Sequence, residues 1–194
     1  MRKKSSLWAL IAVLVVIGIG LGSRLIMWNG SGQASIGGPF ALTDHNGNKV
    51  TDQTYNGRWK LIYFGYTYCP DVCPTSLGIM ASALDKLAPA QRAKLVPLFI
   101  TVNPERDTPE VMKTYVAAFA PDLIGLVGTP QQTEEVKKAF KVYAVKNKDS
   151  DPVNYTVDHS SILYLMGPDG QFVQHFPHGT NADILAAALA KHLQ

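Results

Sequence analysis

The chain has few cysteines and almost no excess of charge outside its first residues, and both shortages exclude classes of protein. Only two of its 194 residues are cysteine, Cys69 and Cys73, too few for a small secreted scaffold held by several disulfides. A structural zinc site needs four ligands, and no second cysteine pair supplies them. The first 24 residues hold four of the 18 basic residues and none of the 15 acidic ones, so the rest of the chain carries 14 basic and 15 acidic residues. That balance offers no basic surface of the kind that binds nucleic acid.

Charge is nearly absent from residues 7–27, where Arg24 is the one charged residue. As a helix at ~1.5 Å per residue these residues would span about 31 Å, enough to cross the apolar core of a bilayer. Basic residues before this run place the N-terminus on the cytoplasmic side. We therefore predict that residues 1–28 form a cytoplasmic tip and a single transmembrane anchor, with a cleaved signal peptide as the alternative. The expected location is the bacterial inner membrane, with the remaining chain facing the periplasm or cell exterior; the mitochondrial inner membrane is the other possibility.

Residues 29–38 are rich in glycine and serine and are predicted to be a linker. Residues 39–194 are long enough to form one core. They begin with a hairpin signal at Asn46-Gly47 and continue with alternating β and α segments. This alternation predicts an α/β domain with a sheet covered on both faces, and a closing hairpin makes the sheet mixed. The layout is that of a thioredoxin-like domain with an N-terminal β-hairpin extension. The predicted segments are strands at 60–65, 95–102, 123–127, 142–145, 161–166 and 171–176, and helices at 75–88, 108–119, 129–140 and 181–193.

Both cysteines lie in the stretch YTYCPDVCP, with three residues between them. Because a proline inside a helix loses a hydrogen bond and clashes with the preceding turn, Pro74 is predicted at the first position of the following helix, with Cys73 as the cap. Both sulfurs would then lie near a helix N-terminus, where the dipole favours thiolates. The spacing of Cys69 and Cys73 permits a reversible disulfide and also chelation of a soft metal. Two buried structural thiols are the remaining interpretation.

A third metal ligand would have to come from one of five histidines. His45 and His192 are predicted to be solvated surface residues, and His175 and His178 lack the carboxylates of a separate two-histidine site. His159 differs because it lies in a loop just before a predicted strand, and in a thioredoxin-like layout this loop crosses the cysteine turn. It is therefore the candidate third ligand, with an ordinary surface histidine as the alternative. Its sequence neighbour Asp158 is a candidate acceptor for the ring proton.

Six short segments form a specific combination: 64–74 (FGYTYCPDVCP), 103–109 (NPERDTP), 128–130 (GTP), 158–161 (DHSS), 164–166 (YLM) and 168–170 (PDG). Together they resemble the SCO/SenC family of copper-binding proteins, which are involved in cytochrome c oxidase assembly. The resemblance implies a thioredoxin-like fold anchored by one helix, with Cu(I) or Cu(II) bound by Cys69, Cys73 and His159. It also implies a role in maturing the binuclear copper centre of oxidase subunit II, by copper delivery, by thiol reduction or by both, with a copper donor and a thiol reductant as further partners.

The chain departs from the family pattern at two positions. Tyr68 stands where the family often has histidine, and Asn103 stands where it usually has aspartate. Tyr68 is not one of the three expected ligands, so metal binding is not threatened there. The carboxylate lost at Asn103 changes either the local charge near the site or a contact with a partner. Nearby, Arg106 and Asp107 precede a predicted helix, and they are candidates either for contact with a partner or for helix capping and surface ion pairs.

Two functions of different classes remain open. One is a metallochaperone, which hands over copper without turnover; the other is a thiol-disulfide oxidoreductase that uses Cys69 and Cys73 as a redox pair on exported protein cysteines. His159 separates them, because a dithiol reductase does not need it. A peroxiredoxin-type thiol peroxidase is disfavoured, since Tyr66 and Pro70 stand where its threonine is required. A catalytic zinc site with two cysteines and one histidine lacks an evidently placed glutamate base.

Overall fold

The computed structural model describes residues 36–147 and 155–194. Within these residues no helix is both long enough and apolar enough to cross a membrane. The predicted anchor, residues 1–28, and most of the predicted linker, residues 29–38, lie outside the described residues, so both stay predictions.

The described part of the chain contains nine strands and five helices. In chain order they are β1 (Ala41–Asp44), β2 (Lys49–Thr51), β3 (Trp59–Gly65), α1 (Val72–Asp85), α2 (Pro89–Arg92), β4 (Leu95–Thr101), α3 (Pro109–Ala117), β5 (Ile124–Val127), α4 (Pro130–Phe140), β6 (Ala144–Lys146), β7 (Val157–His159), β8 (Ile162–Met166), β9 (Phe172–Pro177) and α5 (Ala182–His192).

Seven of the strands form one mixed sheet in the order β2-β1-β5-β4-β3-β8-β9. The three central strands β5, β4 and β3 are parallel, and the outer strands join antiparallel. The predicted N-terminal hairpin is confirmed as β1 and β2. Strands β6 and β7 form a separate antiparallel ribbon. This mixed α/β arrangement fits a thioredoxin-like fold.

Helices cover both faces of the sheet, as the sequence predicts. On one face Tyr63 of β3 stacks on Phe99 of β4, with 6.2 Å between ring centroids, and Phe99 contacts Tyr115 of α3. On the other face the ring of Phe64 lies 5.2 Å from that of Phe140 in α4. The alternation of side chains along β3 therefore divides the core into two layers, with the sheet between them.

The starts of two helices follow the predicted capping chemistry. The Thr108 hydroxyl accepts a hydrogen bond from the Val111 N–H at the start of α3. At the start of α4, Thr129 and Gln132 form a reciprocal capping box. A proline follows each cap residue, where its missing N–H costs no helix bond.

Pro97 marks neither a sheet edge nor a bulge, although a proline in a strand usually indicates one of the two. It lies in β4, the strand at the centre of the sheet, opposite Leu61 of β3. The short strand β5 begins to pair with β4 only at Leu98. Pro97 therefore has a ladder partner on one side alone, which explains how a central strand accommodates a residue without an N–H.

Candidate metal centre

The two cysteines lie at the junction of β3 and α1, in different positions from those predicted. Helix α1 begins at Val72 with Asp71 before it, so Cys73 is not the cap and Pro74 is not the first helical residue. The prediction failed because the first N–H groups of any helix lack intrahelical partners, so proline is tolerated throughout the first turn. Cys73 consequently lies inside that turn, and Cys69 lies in the loop before it.

The absence of a side chain at Gly65 makes room for the Cys73 sulfur. A Cβ atom at Gly65 would lie 2.7 Å from Cys73 Sγ and 2.9 Å from the Phe99 ring. Cys73 is thereby packed against the end of β3, with 0% of its surface exposed. Cys69 is only partly buried, so solvent can reach the Cys69 side chain but not that of Cys73.

His159 reaches the cysteines from a strand rather than from a loop, which corrects the prediction. It is the last residue of β7 and lies opposite Ala144 of β6. Alternation along this strand buries Val157 and leaves Asp158 exposed. Asp158 therefore does not orient the imidazole; instead, His159 Nδ1 lies 3.1 Å from the carbonyl oxygen of Ser160. A carbonyl can only accept, so this contact places the ring proton on Nδ1 and leaves Nε2 with a free lone pair.

The three predicted ligand residues come together. His159 Nε2 lies 3.2 Å from Cys73 Sγ, and the Cys73 N–H lies 3.4 Å from Cys69 Sγ. All three candidate ligand atoms lie within 4.8 Å of one another, the one such group of histidine, cysteine or acidic side chains within residues 36–147 and 155–194. Cys69 and His159 line an open pocket of about 310 Å³. Two sulfurs and one imidazole nitrogen are a donor set that copper and zinc accept.

The two thiols differ in acidity. The Cys73 thiol donates to Cys69, and together with backbone N–H groups this lowers the pKa of Cys69 to about 3 despite partial burial. The adjacent Cys69 sulfur and burial together raise the pKa of Cys73. The prediction that both sulfurs favour thiolate is therefore correct for Cys69 alone in the metal-free chain. A bound cation would supply the positive charge that a second thiolate requires.

The other four histidines are engaged elsewhere. His45 and His192, predicted to be solvated, each have a partner in the fold, and neither joins the ligand group. The contacts are His45 with the N–H of Gly125, His175 with Phe172, His178 with Ser76 and His192 with Trp59.

Sequence reasoning missed a buried tyrosine that holds the histidine strand. The Tyr66 hydroxyl accepts the N–H of Val157 over 3.1 Å, and its ring meets the His159 ring edge-on, with 5.7 Å between centroids. The two bonded residues are 91 positions apart, so no local pattern signals the contact. Tyr66 therefore fixes β7 against the cysteine turn.

Asp107 holds the cysteine turn itself and is not the surface residue that the sequence suggested. It is completely buried, and its carboxylate accepts bonds from the Thr67 N–H at 3.1 Å, the Thr67 hydroxyl at 2.6 Å and the Thr101 hydroxyl at 2.5 Å. Burial raises the pKa of Asp107, and these bonds oppose the shift. The loop before Cys69 is thus tied to the end of β4.

The chain is similar to known proteins in both sequence and fold. The chain is 43% identical over 164 residues to the human mitochondrial protein SCO1 homolog, which covers 84% of this chain and 54% of that protein. The chain thus spans about half the length of that relative.

Solved structures show the same fold. The copper-bound structure of ScoI from Bradyrhizobium japonicum superposes with a TM-score of 0.73 at 45% identity, covering 81% of this chain and 99% of that one. BsSco, a member of the Sco family of cytochrome c oxidase assembly proteins in which a disulfide switch was identified, gives a TM-score of 0.66 at 25% identity over 82% of this chain and 94% of that one. The SCO1/SenC family model matches residues 29–194, and the chain therefore belongs to the SCO1/SenC family.

Proposed function

We propose that this chain is a membrane-anchored copper chaperone for the binuclear copper centre of cytochrome c oxidase, with Cys69, Cys73 and His159 as its copper ligands. The observation that carries the proposal is the convergence of these three side chains, whose donor atoms lie within 4.8 Å of one another at the wall of an open pocket. Membership of a family with copper-bound members supports copper over zinc.

The donor set suits both oxidation states of copper. Two thiolates and one imidazole satisfy Cu(I) as a three-coordinate ion, and Cu(II) with an added oxygen ligand. Copper is here a cargo, and the pocket beside Cys69 leaves one side of the ion open to an acceptor. A disulfide between Cys69 and Cys73 would remove two of the three ligands, so a thiol reductant has to keep the site open.

The proposal includes the placement of the chain. Residues 1–28 would anchor it in the bacterial inner membrane, residues 29–38 would act as a linker, and residues 39–194 would carry the copper outside the cytoplasm. Subunit II of the oxidase is the proposed acceptor. The apolar run before Met27 and the basic residues ahead of it support this topology.

A copper titration tests the ligand set. Reduced residues 29–194 are expected to bind one equivalent of Cu(II) and to show thiolate-to-copper charge-transfer absorption. Replacing His159 with alanine should weaken or shift that band. His178→Ala is the matched control, because His178 contacts Ser76 and lies outside the ligand group. Equal affinity and an equal spectrum in the His159→Ala variant would remove His159 from the site.

A specific observation favours a second function, the reduction of disulfides in exported proteins. An accessible cysteine of low pKa beside a buried one of raised pKa is the arrangement that attacks a disulfide and then resolves the mixed product. Rapid reduction of a protein disulfide by the metal-free chain, with weak copper binding and no effect of His159→Ala, would establish this function in place of the first.

A further inference from the structure

One arginine outside the ligand set joins the two segments that supply the ligands. The guanidinium carbon of Arg106 lies 3.8 Å from the centre of the Tyr68 ring and 4.8 Å from the centre of the Tyr155 ring. Its Nη1 donates to the Tyr155 carbonyl oxygen over 3.0 Å. Tyr68 immediately precedes Cys69, and Tyr155 lies just before β7, which carries His159.

Asn103 belongs to the same contact network. The Tyr155 hydroxyl donates to Asn103 Oδ1 over 2.7 Å, and the Asn103 carbonyl accepts the N–H of Arg106. Asn103 is itself 1% exposed and donates its N–H to Thr101. Tyr68 and Asn103, the two positions where this chain departs from the SCO/SenC pattern, are therefore parts of one contact network.

We propose that Arg106, clamped between Tyr68 and Tyr155, is a positioning residue that holds β7 over the cysteine turn and thereby sets the distance from His159 to the two sulfurs. Its consequence for copper rests on the proposed function, whereas the clamp itself is a property of the metal-free chain. Arginine suits the task because a planar guanidinium can stack on two rings and still donate in its own plane, which a lysine ammonium cannot do.

The cysteine turn has one attachment that does not depend on Arg106. The cysteine turn is fixed by the buried Asp107 through Thr67, which does not involve the Arg106 guanidinium. Releasing Arg106 should therefore loosen β7 while the cysteine turn stays in place. Such a change would alter how the site holds a metal without unfolding the domain.

A neighbouring cation provides a matched control. Lys146 Nζ lies 4.9 Å from the centre of the Tyr155 ring and 2.5 Å from Glu105 Oε2. Both members of this ion pair are about half exposed, so solvent screens it. Lys146 approaches this network at the Tyr155 ring, so its loss should leave the contact of Arg106 with Tyr68 in place.

Hydrogen exchange on the full metal-free, reduced chain tests the clamp directly. In Arg106→Ala, amides of residues 155–161 should exchange roughly five- to tenfold faster, the factor expected for loss of a stacked cation and its hydrogen bond. Arg106→Lys should not restore protection, Tyr68→Phe should match the wild type because it keeps the ring, and Lys146→Ala should stay within about twofold. Unchanged exchange at 155–161 in Arg106→Ala, or faster exchange throughout β3 and β4 as well, would overturn the proposal.

Copper release from the same variants tests the consequence. With a Cu(I) chelator as competitor, Arg106→Ala and Tyr68→Ala should release copper several-fold faster than the wild type, Tyr68→Phe and Lys146→Ala. Loosened β7 amides with an unchanged release rate would refute the positioning of His159. If the wild type bound no copper, the chaperone function would fail, and the exchange measurement would still decide whether Arg106 clamps the strand.

Discussion

Replacing Tyr66 with phenylalanine removes one oxygen atom and should loosen the strand that carries His159. The hydroxyl accepts the N–H of Val157 over 3.1 Å, and Tyr66 and Val157 are 2% and 6% exposed. A phenylalanine ring would keep the edge-on contact with His159. The variant removes the acceptor of a buried backbone N–H and also the contact of the hydroxyl with Cys69, and protection of the Val157 amide reports the first of these losses.

The size of that effect follows from the burial of the donor. Leaving a buried N–H without an acceptor costs about 1–3 kcal/mol, or roughly 5- to 150-fold in an equilibrium constant. Urea unfolding of the reduced, metal-free chain should show a free energy of unfolding lower by about that amount. The Val157 amide should lose protection from hydrogen exchange, and copper affinity should fall at least about fivefold because His159 is held less firmly.

Tyr143→Phe is the control for this prediction. Tyr143 lies next to β6 in the same ribbon and is 60% exposed, so loss of its hydroxyl should change the unfolding free energy by less than about 0.5 kcal/mol. If Tyr66→Phe matched this control in stability and its Val157 amide stayed as protected as in the wild type, the assignment of Tyr66 as the anchor of β7 would be refuted.

Three further predictions concern residues around the site and at the far end of β3. Gly65→Ala should lower the free energy of unfolding by about 1–3 kcal/mol and weaken copper binding, because its Cβ would lie 2.7 Å from Cys73 Sγ. Urea unfolding measures the first effect and chelator competition the second. A variant with wild-type stability and copper affinity would contradict the packing argument. Iodoacetamide should still modify Cys69 at pH 5, well above its pKa of about 3. Cys73 should stay unmodified because it is buried and its pKa is raised. Peptide mass mapping measures both, and equal modification of the two cysteines would contradict this prediction. Lys60 is 5% exposed, and within residues 36–147 and 155–194 its amine has no hydrogen-bond partner. Burial lowers the pKa of Lys60, so its ammonium destabilises the folded state at neutral pH, and Lys60→Met should raise the free energy of unfolding by about 1 kcal/mol. The gain in unfolding free energy of Lys60→Met should shrink as pH rises toward 10.5, where the unfolded chain also loses the lysine charge. A variant less stable than the wild type at every pH would show that the Lys60 amine is stabilised in the folded chain.

The parts of the fold that the sequence predicts well depend on local chemistry. The capping box of Thr129 and Gln132 and the threonine cap at Thr108 operate within four residues, so both helix starts were predicted correctly. The apolar strands β3 and β4 are buried along almost their full length, which makes them visible as continuous apolar runs. The three candidate ligand residues could be named because cysteine and histidine are few in this chain, and the structure brings them together.

The parts that the sequence did not predict depend on contacts between distant residues. Strand β7 has three residues, too few for a periodic pattern, and it exists because β6 pairs with it. The anchors of the site join Tyr66 to Val157 and Thr67 to Asp107, across 91 and 40 positions respectively. The start of α1 was misplaced for a local reason, since proline excludes a helix interior but not a first turn.

The unequal burial of the two sulfurs constrains both candidate functions in the same way. Because Cys73 is buried against the end of β3, an incoming thiol or acceptor ligand contacts Cys69 first. In copper transfer, Cys69 would be exchanged for an acceptor ligand while Cys73 and His159 still hold the ion. In disulfide reduction, Cys69 would form the mixed disulfide and Cys73 would then displace the substrate sulfur. Both reactions begin at Cys69, and only copper transfer needs His159. Changes to the contacts of β7 should therefore impair metal retention and spare thiol exchange. Changes to Asp107, which holds the cysteine turn, should impair both.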